Sequence, residues 1–275
     1  MDEPQATRST PADDHLLGAA PLIRTATAGG IATLTLDSPG NRNALSTPLM
    51  TQLLDGLAAA VADPAVRVVV LTHTGPVFCS GADLAETAAA YASRQVPVRM
   101  LGDVLAAVWD CPKPVVARIG GPARAGGLGL IAAADIAICD AAATFAFTEV
   151  RLGVVPAVIS ATVLRRLQPR AAARLYLTGE LFDGALAERF GLVTAAVAAD
   201  ELDPTVAETC AALVRGAPGA LAGAKQLIRR VPADDFQTDV GELRELSTGY
   251  FLSAEGREGV RAFREKRDPA WVPMP

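Results

Sequence analysis

The sequence predicts an α/β fold that passes into a purely helical C-terminal portion, and three observations predict it. Short runs of β-branched residues alternate with segments of helical periodicity as far as about residue 201. Glycine- and alanine-rich turns stand between them. Beyond Leu202 the strands stop and capped helical segments take over.

Taken in order, Ile31 to Leu36 (IATLTL) alternates apolar and polar side chains as a half-buried strand does, and Ser38-Pro39-Gly40-Asn41 breaks it. Thr47 reads as an N-cap with Pro48 at the first helical position, and Leu49, Leu53, Leu57 and Val61 recur at helical spacing until Asp63-Pro64. Val66 to Thr72 is nearly all β-branched, the mark of a strand covered on both faces, and it leads into the loop FCSGAD. A helix from Pro97 to Trp109, a strand from Pro114 to Arg118 and the glycine-rich run IGGPARAGGLG come next. Strands at 136–139, 145–147 and 193–197 are separated by helices near 160–177 and 183–190. Helices at 205–215, 218–231 and 236–264 close the chain. The expected organisation is a tail at 1–17, an α/β core at 18–201 and a helical subdomain at 202–275. There is no fixed-period repeat, but strand–turn–helix units recur at irregular spacing, which is compatible with a spiral of such units.

Composition narrows the function classes. Hydrophobic residues make up 51% of the chain but aromatics only 5%, so helices and strands must pack closely through small side chains. A net charge of -5 and a pI near 5.2 argue against nucleic acid as a partner, because neutralising many phosphates needs a concentrated basic surface. Cys79, Cys111, Cys139 and Cys210 are scattered without a Cys-x-x-Cys pair, and no signal or membrane-spanning run is evident, so reduced thiols in a cytoplasm are expected. Metal-ligand spacing is likewise absent, and no metal is expected.

Two turns carry the functional signal, FCSGADL (78–84) and ARAGGLG (123–129). Each follows a strand and opens a helix; small residues let a ligand approach the backbone, and free N–H groups at a helix start point at negative charge. Gly127-x-Gly129-x-x-Ala132 also matches a dinucleotide fingerprint, but seven residues separate its first glycine from the preceding strand, where the fingerprint needs a tight turn. His15 and His73 pair with no nucleophile, and His73 is expected to be structural. Cys79 is expected to serve packing.

With LDSPGNRNALS at 36–46, FCSGADL, GGPARAGGLGL, FTEVRLGVVPA at 147–157 and EGVRAFREKRDPAW at 258–271, in that order, the chain resembles the enoyl-CoA hydratase/isomerase (crotonase) superfamily over nearly its whole length. The resemblance implies a crotonase-like spiral of repeated ββα units with a helical C-terminal subdomain that oligomerises into a trimer or a dimer of trimers. It further implies that the N–H groups of Ala82 and Gly126 hold a thioester oxygen. Ser80, Ala82, Asp83 and Leu84 would line the adenine end of coenzyme A, Arg42, Ala44 and Gly127 would lie beside the ligand, and Phe263 and Lys266 would cover it. For Lys266 a solvated helix face is the alternative.

Hydratases of that superfamily commonly use two glutamates. This chain keeps the second as Glu149 but has Gly129 at the first, so two-glutamate chemistry is excluded. Glu149 is the expected proton shuttle if burial raises its pKa, with an ion pair to Arg151 as the alternative. The run EVRLGVVPAVIS resembles bacterial hydratases of 3-methylglutaconyl-type acyl-CoAs, and Ala157, Val158, Ile159 and Ser160 are bulkier than the glycine cluster of straight-chain enzymes. The expected reaction is reversible hydration of a 2-enoyl-CoA, with no cofactor beyond the CoA of the substrate. A 3-enoyl to 2-enoyl-CoA isomerase and a weakly catalytic acyl-CoA-binding protein are the alternatives.

Overall fold

A computed structural model describes residues 21–90 and 98–273. The expected tail at 1–17 and the start of the helix expected at Pro97 lie outside the described residues. The described residues open with a strand that its polar sequence hid. β1 (Ile23–Ala28) pairs antiparallel with β2 (Ile31–Leu36) across the Gly29-Gly30 turn, where φ values of 55° and 80° suit glycine. β1 exposes all but Ile23, whereas β2 alternates as expected, with Ala32, Leu34 and Leu36 buried.

α1 (Thr47–Ala62) follows, but its cap is Ser46, whose hydroxyl accepts from the Leu49 N–H, while Thr47 is already helical. Leu49, Leu53 and Leu57 are buried; Val61 is exposed and Ala60 takes its place against the core. β3 (Val68–His73) then runs parallel to β2, with Val69 and Leu71 in one apolar cluster and Val68 and Val70 in another. Burial on both faces is why its sequence is unbroken by polar residues.

Beyond it come α2 (Leu84–Ala89), α3 (Val98–Asp110), β4 (Val115–Ile119), the two-residue strand β5 (Ala123–Arg124) and α4 (Gly126–Ala133), whose eight residues are all buried. β6 (Ile136–Asp140), β7 (Thr144–Ala146), a 3-10 turn at Glu149–Leu152 and α5 (Ala157–Val163) complete the next unit. The single helix expected near 160–177 is two: Pro169 cannot continue α5, Gln168 is extended before it, and α6 (Pro169–Thr178) starts afresh. β8 (Phe182–Asp183), α7 (Gly184–Arg189) and β9 (Ala195–Val197) end the α/β part.

Among the described residues the large sheet has the order β1-β2-β3-β4-β6-β9 and is parallel except for β1, and a small sheet has the order β5-β7-β8. Single bridges Leu45–Ala82 and Cys79–Ala123 extend the small layer. Each unit thus sends a strand through the large sheet, takes a short extended step in the second layer and turns into a helix. That is the spiral of ββα units, irregular in sequence because the second step is only one to three residues long.

Four helices follow: α8 (Leu202–Val214), α9 (Pro218–Arg229), α10 (Phe236–Leu252) and α11 (Ala254–Glu265). The last two were expected as one helix; Ser253 ends α10 in an extended conformation and caps α11 by accepting from the Gly256 N–H at 2.9 Å. α8 lays Leu202, Val206 and Cys210 on Val68, Val70, Val116 and Ile138, closing the second face of the sheet. α9 is tied down by charge: Lys225 and Arg229 reach the two carboxylate oxygens of Asp135 at 2.6 and 2.7 Å, and the Val115 N–H donates to the same carboxylate at 2.8 Å. Lys225 is buried, and burial pushes its pKa down. Removing the carboxylate strands a buried ammonium, so Asp135→Ala is expected to cost about 3 kcal/mol in a denaturant titration. A change of a few tenths would show that this network contributes little.

Candidate active site

The two glycine turns leave the large sheet side by side. β3 and β4 are parallel neighbours, so the loops after both emerge at the same edge. A third loop, 38–46, joins them through Asn43, fully buried with φ 53°. Its amide donates to Thr74 O at 3.0 Å and Val77 O at 2.8 Å, and its Oδ1 accepts from the Ser38 N–H at 2.8 Å. Sequence reasoning passed over Asn43. The signal was there, since asparagine is among the few residues that tolerate the left-handed region and can answer several backbone groups at once. His73 adds a second tie, its Nε2 accepting from the Gly120 N–H at 3.0 Å, and burial pushes its pKa down and keeps it neutral.

Ala82 and Gly126 are brought together by close backbone approach. A Cβ at Gly81, where φ is 93°, would lie 3.0 Å from Ala125 Cβ and 3.5 Å from Gly126 N. At Gly126 it would meet Leu45 Cδ1 at 2.8 Å and lie 3.7 Å from Gly81 Cα. Ala125 takes φ 46° and ψ -114°, a conformation that L-residues rarely adopt, and it immediately precedes α4. Such outliers persist where surrounding contacts impose them. Gly126 heads α4, and Ala82 precedes the Asp83 cap of α2. Among the described residues neither N–H donates a hydrogen bond within the protein.

Around these donors, the Ser80 N–H donates to Arg42 O at 3.0 Å, and Ala44, buried, lies one residue before the Leu45–Ala82 bridge. Asp83 spends its carboxylate on the Ala85 and Glu86 N–H groups at 3.0 Å, and Leu84 is exposed. Gly127 abuts Cys79, whose Cβ and carbonyl would each stand 2.8 Å from an added methyl. Cys79 is buried, with its thiol pushed up to about 12, consistent with packing. Phe263 and Lys266 are elsewhere. Phe263 lies on α11 and Lys266 caps its C-terminus, and the segment after it packs Trp271 and Pro273 against Arg67 and Gly30, at the end of the sheet where β2 and β3 begin. Both side chains are exposed.

Glu149 heads the 3-10 turn three residues after β7, and β7 pairs with β5 just before Gly126. Its Oε2 is buried without a hydrogen-bond partner among the described residues, and burial pushes its pKa up. The ion pair to Arg151 does not form: the Arg151 guanidinium turns to Thr178 O, at 3.2 and 3.4 Å. Gly129 has a local reason to lack a side chain, because a Cβ there would sit 2.7 Å from Ile159 Cγ2 and 3.3 Å from Leu105 Cδ1. Ile159 fills the place an acid would need. The glycines of the dinucleotide-like run therefore serve packing against Cys79 and Ile159.

The sequence profile of the enoyl-CoA hydratase/isomerase family matches residues 26–273. The chain belongs to that family. An enoyl-CoA hydratase of Mycobacterium avium is 46% identical in its crystal structure, with a TM-score of 0.70 over 92% of this chain and 100% of that one. AtuE of Pseudomonas aeruginosa is 34% identical with a TM-score of 0.85, again over 92% and 100%. The 2,3-dehydroadipyl-CoA hydratase of Escherichia coli is 30% identical over 86% of this chain and 92% of its own. The fold is thus crotonase-like. Within that fold Gly129 and Ile159 form a matched pair. Gly129→Ala is expected to cost about 2 kcal/mol by overpacking, and with Ile159→Ala the double variant should lose at least about 1 kcal/mol less than the two singles combined. Additive losses in thermal unfolding would break the pairing.

Proposed function

We propose that the protein is an enoyl-CoA hydratase that adds water reversibly to a 2-enoyl-CoA. The observation that carries this reading is the combination of two backbone N–H groups on touching turns, unpaired among the described residues, with a half-buried carboxyl, Glu149, whose Oε2 is buried without a hydrogen-bond partner there. The N–H groups of Ala82 and Gly126 would receive the thioester oxygen as it gains negative charge in the enolate; one such donor is worth about 3 kcal/mol. Glu149 takes a proton from water as its oxygen bonds to C3, and returns it to C2. Burial suits both halves, since it brings the carboxyl towards neutrality. No cofactor is needed beyond the CoA of the substrate.

The bulky Val158 and Ile159, which follow Pro156 where straight-chain enzymes have a glycine cluster, favour a branched acyl group of the 3-methylglutaconyl type. Ser80, Asp83, Leu84, Arg42, Ala44 and Gly127 would flank the CoA. Phe263 and Lys266 cannot reach that place from the far end of the same sheet, so in this reading they come from α11 and its C-terminal cap in a second copy. Exposed Phe236, Phe251, Leu252 and Phe263 on α10 and α11 favour assembly as a homotrimer or dimer of trimers through the helical portion, 202–275. A cytoplasmic location fits the buried thiols.

A single carboxylate also favours a 3-enoyl to 2-enoyl-CoA isomerase, and one assay separates the two. Crotonyl-CoA, 2-hexenoyl-CoA, 3-methylcrotonyl-CoA and 3-methylglutaconyl-CoA are incubated with the protein, and loss of conjugated thioester absorbance is followed with 3-hydroxyacyl-CoA formation. Hydration of at least one is expected. Interconversion of 3-enoyl and 2-enoyl forms without any hydroxy product would overturn the reading in favour of the isomerase, and tight binding without turnover would leave a binding protein.

Glu149→Gln is expected to lower kcat/KM at least about a hundredfold. In the unsubstituted protein kcat/KM should climb with pH along a limb above the ordinary glutamate range, because the carboxylate accepts the proton, and the variant should lose that limb. The raised pKa also means that ionising Glu149 costs stability as pH rises through it, so Glu149→Gln should unfold no lower than the parent at pH 7. Full activity in the variant would remove Glu149 from the mechanism.

A further inference from the structure

Water that attacks carbon must aim a lone pair at it, which leaves its two hydrogens to be held by two acceptors. Glu149 is one. Gly129 offers no side chain, and Ile159 blocks the space.

Tyr176, on α6, lies near enough to Glu149 for the carboxylate charge to act on its phenol. Its half-buried ring lies 4.7 Å from that of Phe147, two residues before Glu149, and the Arg151 bonds to Thr178 O fasten α6 to the turn that Glu149 heads. The Tyr176 hydroxyl is 3.3 Å from Ser160 Oγ on α5. Counting protons fixes the direction of that contact. Ser160 Oγ lies 2.6 Å from Pro156 O, and a carbonyl can only accept, so the single Ser160 proton is committed there. Ser160 can then only accept from Tyr176. The phenol proton is held on Ser160, and the phenol oxygen presents lone pairs to its remaining surroundings. Burial pushes the phenol above its usual range, so the proton stays on.

We propose that the Tyr176 phenol oxygen is the second acceptor for the attacking water, in the role that a side chain at Gly129 cannot fill. The inference rests on the hydratase reading. One water hydrogen points to Glu149 and the other to Tyr176. The bond from water oxygen to C3 forms as the O–H bond facing Glu149 breaks, the double-bond electrons move into the enolate, and Glu149 then delivers the proton to C2. Tyr176 neither gains nor loses a proton, so it is a positioning residue.

Tyr176→Phe and Ser160→Ala test this, assayed with whichever 2-enoyl-CoA of the panel is hydrated fastest. Both variants are expected to lower kcat at least about tenfold with KM changed less than about threefold, because the water and not the acyl-CoA loses its hold. Ser160→Ala leaves the phenol in place and frees its proton to turn, which guards against a simple folding defect in Tyr176→Phe. Exchange of the C2 hydrogen of the corresponding saturated acyl-CoA with deuterated solvent needs Glu149 but no attacking water, and should stay within about twofold. Hydration at the parent rate in Tyr176→Phe, a change in KM alone, or equal loss of hydration and exchange would overturn the inference. If the parent protein hydrates none of the panel, the hydratase reading falls and the inference falls with it; the other outcomes leave that reading standing.

Discussion

Everything in the site depends on two stretches of backbone being allowed to touch. The turn through Gly81 and the turn through Ala125 and Gly126 approach so closely that a methyl group on either glycine would collide with the opposite side or with Leu45. Parallel pairing of β3 and β4 brings the turns to one edge, and Asn43 and His73 keep them there through bonds to backbone atoms. Two N–H groups are left with nothing to donate to among the described residues. In the proposed reaction their preorganisation is part of the folding free energy and does not have to be supplied by the chemistry.

Much of this was legible in the sequence because small residues and β-branched runs have few structural uses. The β3 run needed burial on both faces and has it, from α8 on one side and the main core on the other. The two turns announced themselves through glycine and alanine. β1 was hidden because five of its six residues face solvent and carry no apolar alternation. β5 and β8 are two residues each, too short for any periodicity. The breaks at Pro169 and Ser253 were readable from capping chemistry but were masked by the apolar spacing that continues across them. Tyr176 gave no signal, since its relation to Glu149 is made by three elements meeting in space.

Gly129 shows how packing and chemistry constrain each other. α4 is buried along its whole length, so every side chain on it must be matched by a neighbour of complementary volume. With Ile159 opposite, position 129 has room for a hydrogen and nothing more. An acid cannot be restored by one substitution at this site, because the isoleucine would have to leave as the carboxylate entered. On the proposed mechanism the polar work is done instead from the α5 and α6 side, where the hydroxyls of Ser160 and Tyr176 meet.

Cys79 is covalently part of the first turn, and Gly127 on the second rests against its Cβ and carbonyl. With its thiol held near 12 and no solvent access, it does not form thiolate while the turns are closed. The sulfur therefore acts as a clock inside the molecule: an alkylating reagent can reach it only when the two turns separate, and its rate of modification measures how often the contact between them comes apart and re-forms.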